Sequence, residues 1–196
     1  MTGEHTNRVA LVTGGGKGLG REVAIELAKE GATLIINYRS DQRSAEETLS
    51  MVRKYGQNSQ IVQADVTQPS DVDRLFGGIR SDYGEVDILI NNVGDFIFKP
   101  LMETSDMEFT DTIESNLYAA FFCSRRALGA MNSGYGRVIN IGAVGAIAGG
   151  LMAIGSDPVI IFYAIIIGAG LVVHQSRFSI LYFILAAVVG AAVTHY

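Results

Sequence analysis

Charge is nearly missing from the last part of this 196-residue chain. Residues 1–137 carry 14 Lys or Arg and 19 Asp or Glu, whereas residues 138–196 carry only Asp157 and Arg177. Lysine is absent after Lys99. A single cysteine, Cys123, excludes an internal disulfide and agrees with a reducing compartment. The net charge is −5 and no basic stripe is visible, which argues against a nucleic-acid partner. His5, His174 and His195 lie far apart and form no metal-ligand pattern, so no metal is expected. Residues 1–8 are polar and lack the apolar core of a secretory signal. The length suits one α/β domain, or a smaller domain with an appendage. The step in charge favours the second arrangement.

What is present begins with a glycine loop at 13–20, Thr-Gly-Gly-Gly-Lys-Gly-Leu-Gly. It follows the uncharged run 9–12 and precedes a stretch, 21–30, in which Val23/Leu27 and Ala24/Ala28 repeat at helical spacing. The loop therefore belongs to a strand-to-helix turn. The free amides and positive dipole end of such a helix suit a pyrophosphate, and glycine permits close backbone approach. Further strands are expected at 33–37, 60–64, 86–90 and 137–141, with a polar helix at 42–54. Thr67, Pro69 and Asp71 supply the start of another helix, whose buried stripe is Val72, Leu75, Phe76 and Ile79. Ser105 and Glu108 form a capping box for a long helix to about Met131, with Phe109, Ile113, Leu117 and Phe121 as its expected inner face. Alternating strands and helices predict a doubly wound, Rossmann-type parallel α/β sheet of about five strands, which is incomplete. Its ligand belongs at the carboxyl ends of the strands.

The pattern changes at about 142. After a Gly/Ala-rich stretch, residues 158–173 and 178–193 form two charge-free runs of 16 residues, separated by His174, Gln175, Ser176 and Arg177. Neither shows a polar face. Each is short of the roughly 20 residues that span a bilayer but longer than a typical core helix. The expected arrangement is a domain over 1–148 and an apolar tail over 149–196 that folds as a two-helix membrane hairpin. Membrane lipid is then a partner, and a cytoplasmic domain is anchored through its C-terminus. The competing readings are buried segments that finish the core or cover a homo-oligomer interface, and a foreign or out-of-frame extension.

The glycine loop, Asp65-Val66 after the third strand, Asn91-Asn92-Val93-Gly94 after the fourth, Asn116 in the long helix and the segment 135–141 share one order and spacing. Together they resemble the short-chain dehydrogenase/reductase family, with general similarity to its ketoacyl reductase-like members, over about 7–148. The resemblance implies a nicotinamide dinucleotide cofactor. It places Gly14, Gly18 and Gly20 on the pyrophosphate, with Thr13, Lys17 and Leu19 in the same loop. It places Asp65 and Val66 on the adenine, and Asn92 and Gly94 beside the ribose and nicotinamide. Asn116 matches an asparagine that supports the catalytic lysine through water. The alternatives are turn geometry for the glycines, a helix cap for Asp65 and an internally bonded side chain for Asn116. The second strand ends in Asn37-Tyr38-Arg39-Ser40 and offers no acid for a ribose 2′-hydroxyl. Arg39, helped by Lys17, instead suits a 2′-phosphate, so NADP(H) is expected over NAD(H).

The family's proton-handling residues do not match. Its serine belongs at about Gly142 or Ala143, and its tyrosine near Ser156 and Asp157. Tyr163 is the nearest tyrosine, and Ile167 stands four residues on; none of the eight tyrosines has a lysine at that spacing. A phenol without a nearby cation stays near its ordinary pKa of about 10 and handles protons poorly at neutral pH. The expectation is an oxidoreductase-family protein for a carbonyl or alcohol with weak or absent turnover. The alternatives are a non-catalytic cofactor-binding or membrane-interaction protein, and a truncated or chimeric reductase.

Overall fold

Five charge-poor runs become five parallel strands. The computed structural model describes residues 3–56, 58–95, 97, 100–131 and 136–142. In chain order they form β1 (Val9–Val12), α1 (Gly18–Lys29), β2 (Thr33–Tyr38), α2 (Gln42–Val52), β3 (Gln60–Gln63), α3 (Pro69–Tyr83) and β4 (Ile88–Asn91). A 3₁₀ turn at Leu101–Glu103, α4 (Asp106–Ile113), a π-helical turn at Glu114–Tyr118, α5 (Ala119–Ala130) and β5 (Arg137–Asn140) follow.

The sheet order is β3-β2-β1-β4-β5, all parallel, with Leu11 opposite Ile35 on one side and Leu89 on the other. Alternate residues of each strand feed different faces. Leu11, Ile35 and Leu89 pack with Val72, Leu75, Ile79, Cys123 and Ala127 from α3 and α5. Ala10, Val12, Leu34, Ile36, Ile88 and Ile90 pack with Ala24, Ala28, Leu49 and Val52 from α1 and α2. Both faces are covered by helices, which is why the central strands carry no charge. The chain runs outward from β1 to β3 and then returns to place β4 beside β1. That reversal opens a crevice at the strands' carboxyl ends.

The expected doubly wound parallel sheet of five strands is therefore observed. Two local expectations change. Helix α1 begins at Gly18, three residues before the expected start at Arg21, so it takes the last two loop glycines into its first turn. The long helix is divided by the π turn, and its inner face differs: Phe109 and Phe121 are 60% and 44% exposed, while Ala119, Cys123, Ala127 and Met131 are buried. Small side chains let α5 close onto β4, and the rings are left outside. The expected Ser105/Glu108 capping box is present. Arg126 ties α5 to α3 through both carboxylate oxygens of Asp73, at 2.8 and 3.0 Å.

The hairpin expected within 149–196, its lipid contacts and the boundary at 148 lie outside the described residues. Among the described residues, no helix is long and apolar enough to cross a membrane.

Candidate functional site

Three strand ends hold the glycine loop from beneath. Thr13, 1% exposed, donates its hydroxyl to the Ile90 carbonyl at 3.3 Å and accepts from the amides of Asn92 and Val93 at 2.9 and 3.2 Å. The Asn92 amide donates in return to the Thr13 and Gly14 carbonyls, at 3.1 and 3.2 Å. This locks the end of β1 to the end of β4. On the other flank, Asn37 Oδ1 accepts from the Gly14 amide at 3.4 Å, and its Nδ2 donates to the Ala64 carbonyl at 2.9 Å. The Gly16 carbonyl accepts from Thr48 Oγ1 at 2.8 Å and from Arg21 Nη2 at 3.0 Å.

Glycine is required here for two different reasons. Gly14 has a φ of +60°, a conformation that costs an L residue energy. At Gly20 the constraint is space: a Cβ would lie 2.6 Å from both the Gly14 carbonyl oxygen and Asn92 Nδ2. Between them, Gly18 faces open space, with no heavy atom within 4 Å of a Cβ position. The N-cap of α1, Lys17, makes no side-chain capping bond. The first amides of α1 are therefore left without an intrahelical acceptor at the positive end of the dipole.

In front of the loop lies a cleft of about 440 Å³. Of the sequence-predicted residues, Gly14, Lys17, Arg39, Asp65, Val66, Asn92 and Gly94 line it, and Thr13, Gly18, Leu19, Gly20 and Asn116 do not. Thr13 and Gly20 are buried behind it, and Leu19 is 58% exposed. Lys17 Nζ stands 3.6 Å from Asp41 Oδ2. Arg39 is exposed, and its guanidinium takes no hydrogen bond or ion pair among the described residues.

Asp65 and Asn116 each have defined partners. Asp65 does not cap α3, whose N-cap is Gln68. Its Oδ1 closes a local turn by accepting from the Thr67 amide and hydroxyl, at 3.0 and 2.8 Å. Its own amide donates to Asp71 Oδ2 at 2.8 Å, and this bond, with the Arg74 guanidinium, holds the Asp71 carboxyl below the usual range. Asn116 lies in the π turn and is internally bonded, donating to the Asp95 and Thr112 carbonyls at 2.8 and 3.0 Å. It crowds Gly94 so closely that a Cβ there would lie 2.6 Å from Asn116 Oδ1.

Sequence reasoning missed the residues that support the loop. Asn37, Arg21 and Thr48 were not among its candidates, nor was Asp41. The signals were weak but physical. Asn37 is a polar residue inside a buried strand, and Arg21 is a cation in a first helical turn, where the dipole disfavours it without a partner. The positions expected of the family's serine, tyrosine and lysine, apart from Gly142, lie outside the described residues. Within them, no group of three or more His, Cys, Asp and Glu could hold a metal.

A doubly wound parallel sheet with a glycine-rich turn at its switch point defines the Rossmann class. The profile of the short chain dehydrogenase family matches residues 8–154, and the chain belongs to that family. Among relatives, it is 36% identical over 144 residues to the hydroxynaphthalene reductase-like protein Arp2 of Metarhizium anisopliae, covering 74% of this chain and 54% of that protein. It is 38% identical over 143 residues to a short-chain type dehydrogenase/reductase of Picea abies, covering 68% and 53%. A solved structure of a doubly substituted Serratia marcescens short-chain dehydrogenase/reductase superposes with a TM-score of 0.72 at 27% identity, covering 84% of this chain and 66% of that one. The chain spans about half the length of the curated relatives it matches. Members of the family use nicotinamide dinucleotides.

Proposed function

We propose that residues 1–148 form an NADP(H)-binding domain of a carbonyl or alcohol oxidoreductase. The observation that carries the cofactor choice is the Arg39 guanidinium, which lines the cleft and takes no partner among the described residues, just past a β2 that ends without an acidic residue. Guanidinium matches a 2′-phosphate bidentately.

The residues fit the cofactor at each part. Open space at Gly18 and the uncapped start of α1 suit the pyrophosphate. Asp65 and Val66, at the rim of the cleft, are placed for the adenine. Asn92 and Gly94 are placed for the ribose and nicotinamide side, with Thr13 fixing Asn92 from behind. When bound, the nicotinamide supplies hydride exchange with a carbonyl or alcohol carbon.

The chain's own contribution to proton handling is thin in this reading. Gly142 and Ala143 replace the expected serine, and Tyr163 lacks a lysine four residues on. Asn116 is committed to the Asp95 and Thr112 carbonyls and offers a supporting role at most. Turnover is therefore weak or absent, and a non-catalytic cofactor-binding role is the second reading. For residues 149–196 the two charge-free runs support a membrane hairpin that anchors a cytoplasmic domain.

Titration of the full chain with NADPH and NADH tests the site. NADPH is expected to bind more tightly, and Arg39→Gln is expected to cost NADPH about tenfold while leaving NADH unchanged. Absence of NADPH binding by folded protein refutes the cofactor reading. Reduction of carbonyl compounds at ordinary enzyme rates refutes the reading of weak turnover. Partition of the full chain between detergent and buffer tests the anchor.

A further inference from the structure

The two cations in this part of the cleft, Arg39 after β2 and Lys17 in the glycine loop, are not equivalent. Arg39 takes no partner among the described residues, whereas Lys17 already faces a carboxylate, Asp41, at 3.6 Å. Asp41 is also the N-cap of α2: its Oδ1 accepts from the Ser44 amide at 3.1 Å and its Oδ2 from the Ser44 hydroxyl at 2.9 Å. Those two bonds, with Lys17, hold its carboxyl below the usual range. It lines the same cleft as Lys17, Arg39, Ser40 and Ser44. The protein has thus placed an anion of its own at the positive end of α2, in the corner where a ligand phosphate would seek positive charge.

We propose that Asp41 limits the preference of this cleft for a 2′-phosphorylated dinucleotide. Its carboxylate neutralises Lys17 and repels the incoming phosphate, so NADP(H) is favoured by Arg39 working largely alone. NAD(H), with a neutral 2′-hydroxyl, meets no such repulsion. The cleft therefore admits both cofactors with a modest bias, and the charge at position 41 sets the size of that bias. This inference rests on the reading of the cleft as a nicotinamide dinucleotide site.

Asparagine is as good an N-cap as aspartate, so Asp41→Asn removes the charge and keeps the acceptor for the Ser44 amide. In titrations of the full chain at low salt, followed by nucleotide fluorescence, this variant is expected to raise the NADPH-to-NADH affinity ratio about fivefold, as for an exposed pair of charges. The gain should shrink at about 0.5 M salt. A cycle with Lys17 adds a second readout. Lys17→Met is expected to cost NADPH less than about twofold in the parent, where Asp41 already offsets that charge, and several-fold in the Asp41→Asn background. An unchanged or lowered ratio in a variant whose thermal midpoint is retained overturns the proposal. So does an equal cost of Lys17→Met in both backgrounds, or a several-fold cost in the parent, which needs no folded Asp41 variant. If the parent binds neither dinucleotide, the site reading itself fails; if it binds both and the ratio does not respond, only the role of Asp41 fails.

Discussion

The centre of the sheet and its β5 edge are built to different standards. On the β1, β2 and α2 side, backbone groups of the glycine loop are met by Asn37, Asn92, Arg21 and Thr48, and the strands are buried along nearly their whole length. On the β5 side, the strand is only half-buried throughout and pairs with β4 alone among the described residues. Helix α5 beside it presents Phe121 and Leu128 to solvent, as the π turn does Tyr118, with Arg125 lying 5.5 Å from the Phe121 ring centroid. The first region is over-determined, because several independent bonds fix one short loop. The second is held mainly by a seam of small residues, Ala119, Cys123 and Ala127. The difference places rigidity beside the cleft and tolerance at the sheet's edge.

The largest effect should come from the loop. Gly20→Ala drives a methyl into the Gly14 carbonyl and Asn92, with an expected cost of about 3 kcal/mol and loss of nucleotide binding. A urea midpoint unchanged from the parent would break the claim that this region is tightly determined. Next, Asn37→Leu strips the Gly14 amide and Ala64 carbonyl of a partner inside the fold. Chemical denaturation should show a loss of about 2 kcal/mol, and NADPH affinity should fall with it.

The α5 seam makes a pH prediction. Burial pushes the Cys123 thiol up to about 12 from its ordinary value of 9.0. The raised value means the folded state keeps the proton that the unfolded state gives up. The thiol's contribution is thus complete below about pH 9 and is lost as pH rises towards 12. Urea midpoints should fall from pH 8 to pH 10, and Cys123→Ala should flatten that slope. The smallest effect belongs to the exposed face: Phe121→Ser should change stability by about 0.5 kcal/mol or less. A loss several times larger would show that the ring is covered, and would erase the contrast between the two regions.

What was legible in the sequence follows the same division. Short apolar runs bounded by turn residues made all five strands visible, even though 86–90 contains Asp87 and 137–141 contains Arg137; their lateral order in the sheet was not legible. The glycine spacing identified the loop because a tight strand-to-helix turn needs glycine at separate points, for φ at Gly14 and for clearance at Gly20. Side-chain hydrogen bonds were not legible. Nothing in the sequence says that Asn37 spans to Ala64, 27 residues on, or that Arg21 and Thr48 meet at one carbonyl, since Thr48 stands 32 residues from Gly16. The inner face of α5 was misread because hydrophobic strength favoured Phe121, while the geometry of close packing favoured Cys123 and Ala127. The hairpin expected at 149–196 lies outside the described residues.

The π turn at Glu114–Tyr118 gives the helix a second phase. An α-helix advances about 100° per residue, so one residue gained or lost rotates everything downstream by that angle. Within the turn the helix is timed to deliver Asn116 to Asp95; downstream it is timed to lay Ala119, Cys123 and Ala127 on β4. A single-residue deletion within 114–118 would keep one of those appointments and miss the other. The local irregularity thus works as a gear between binding geometry and core geometry, and it lets each be tuned without resetting the other.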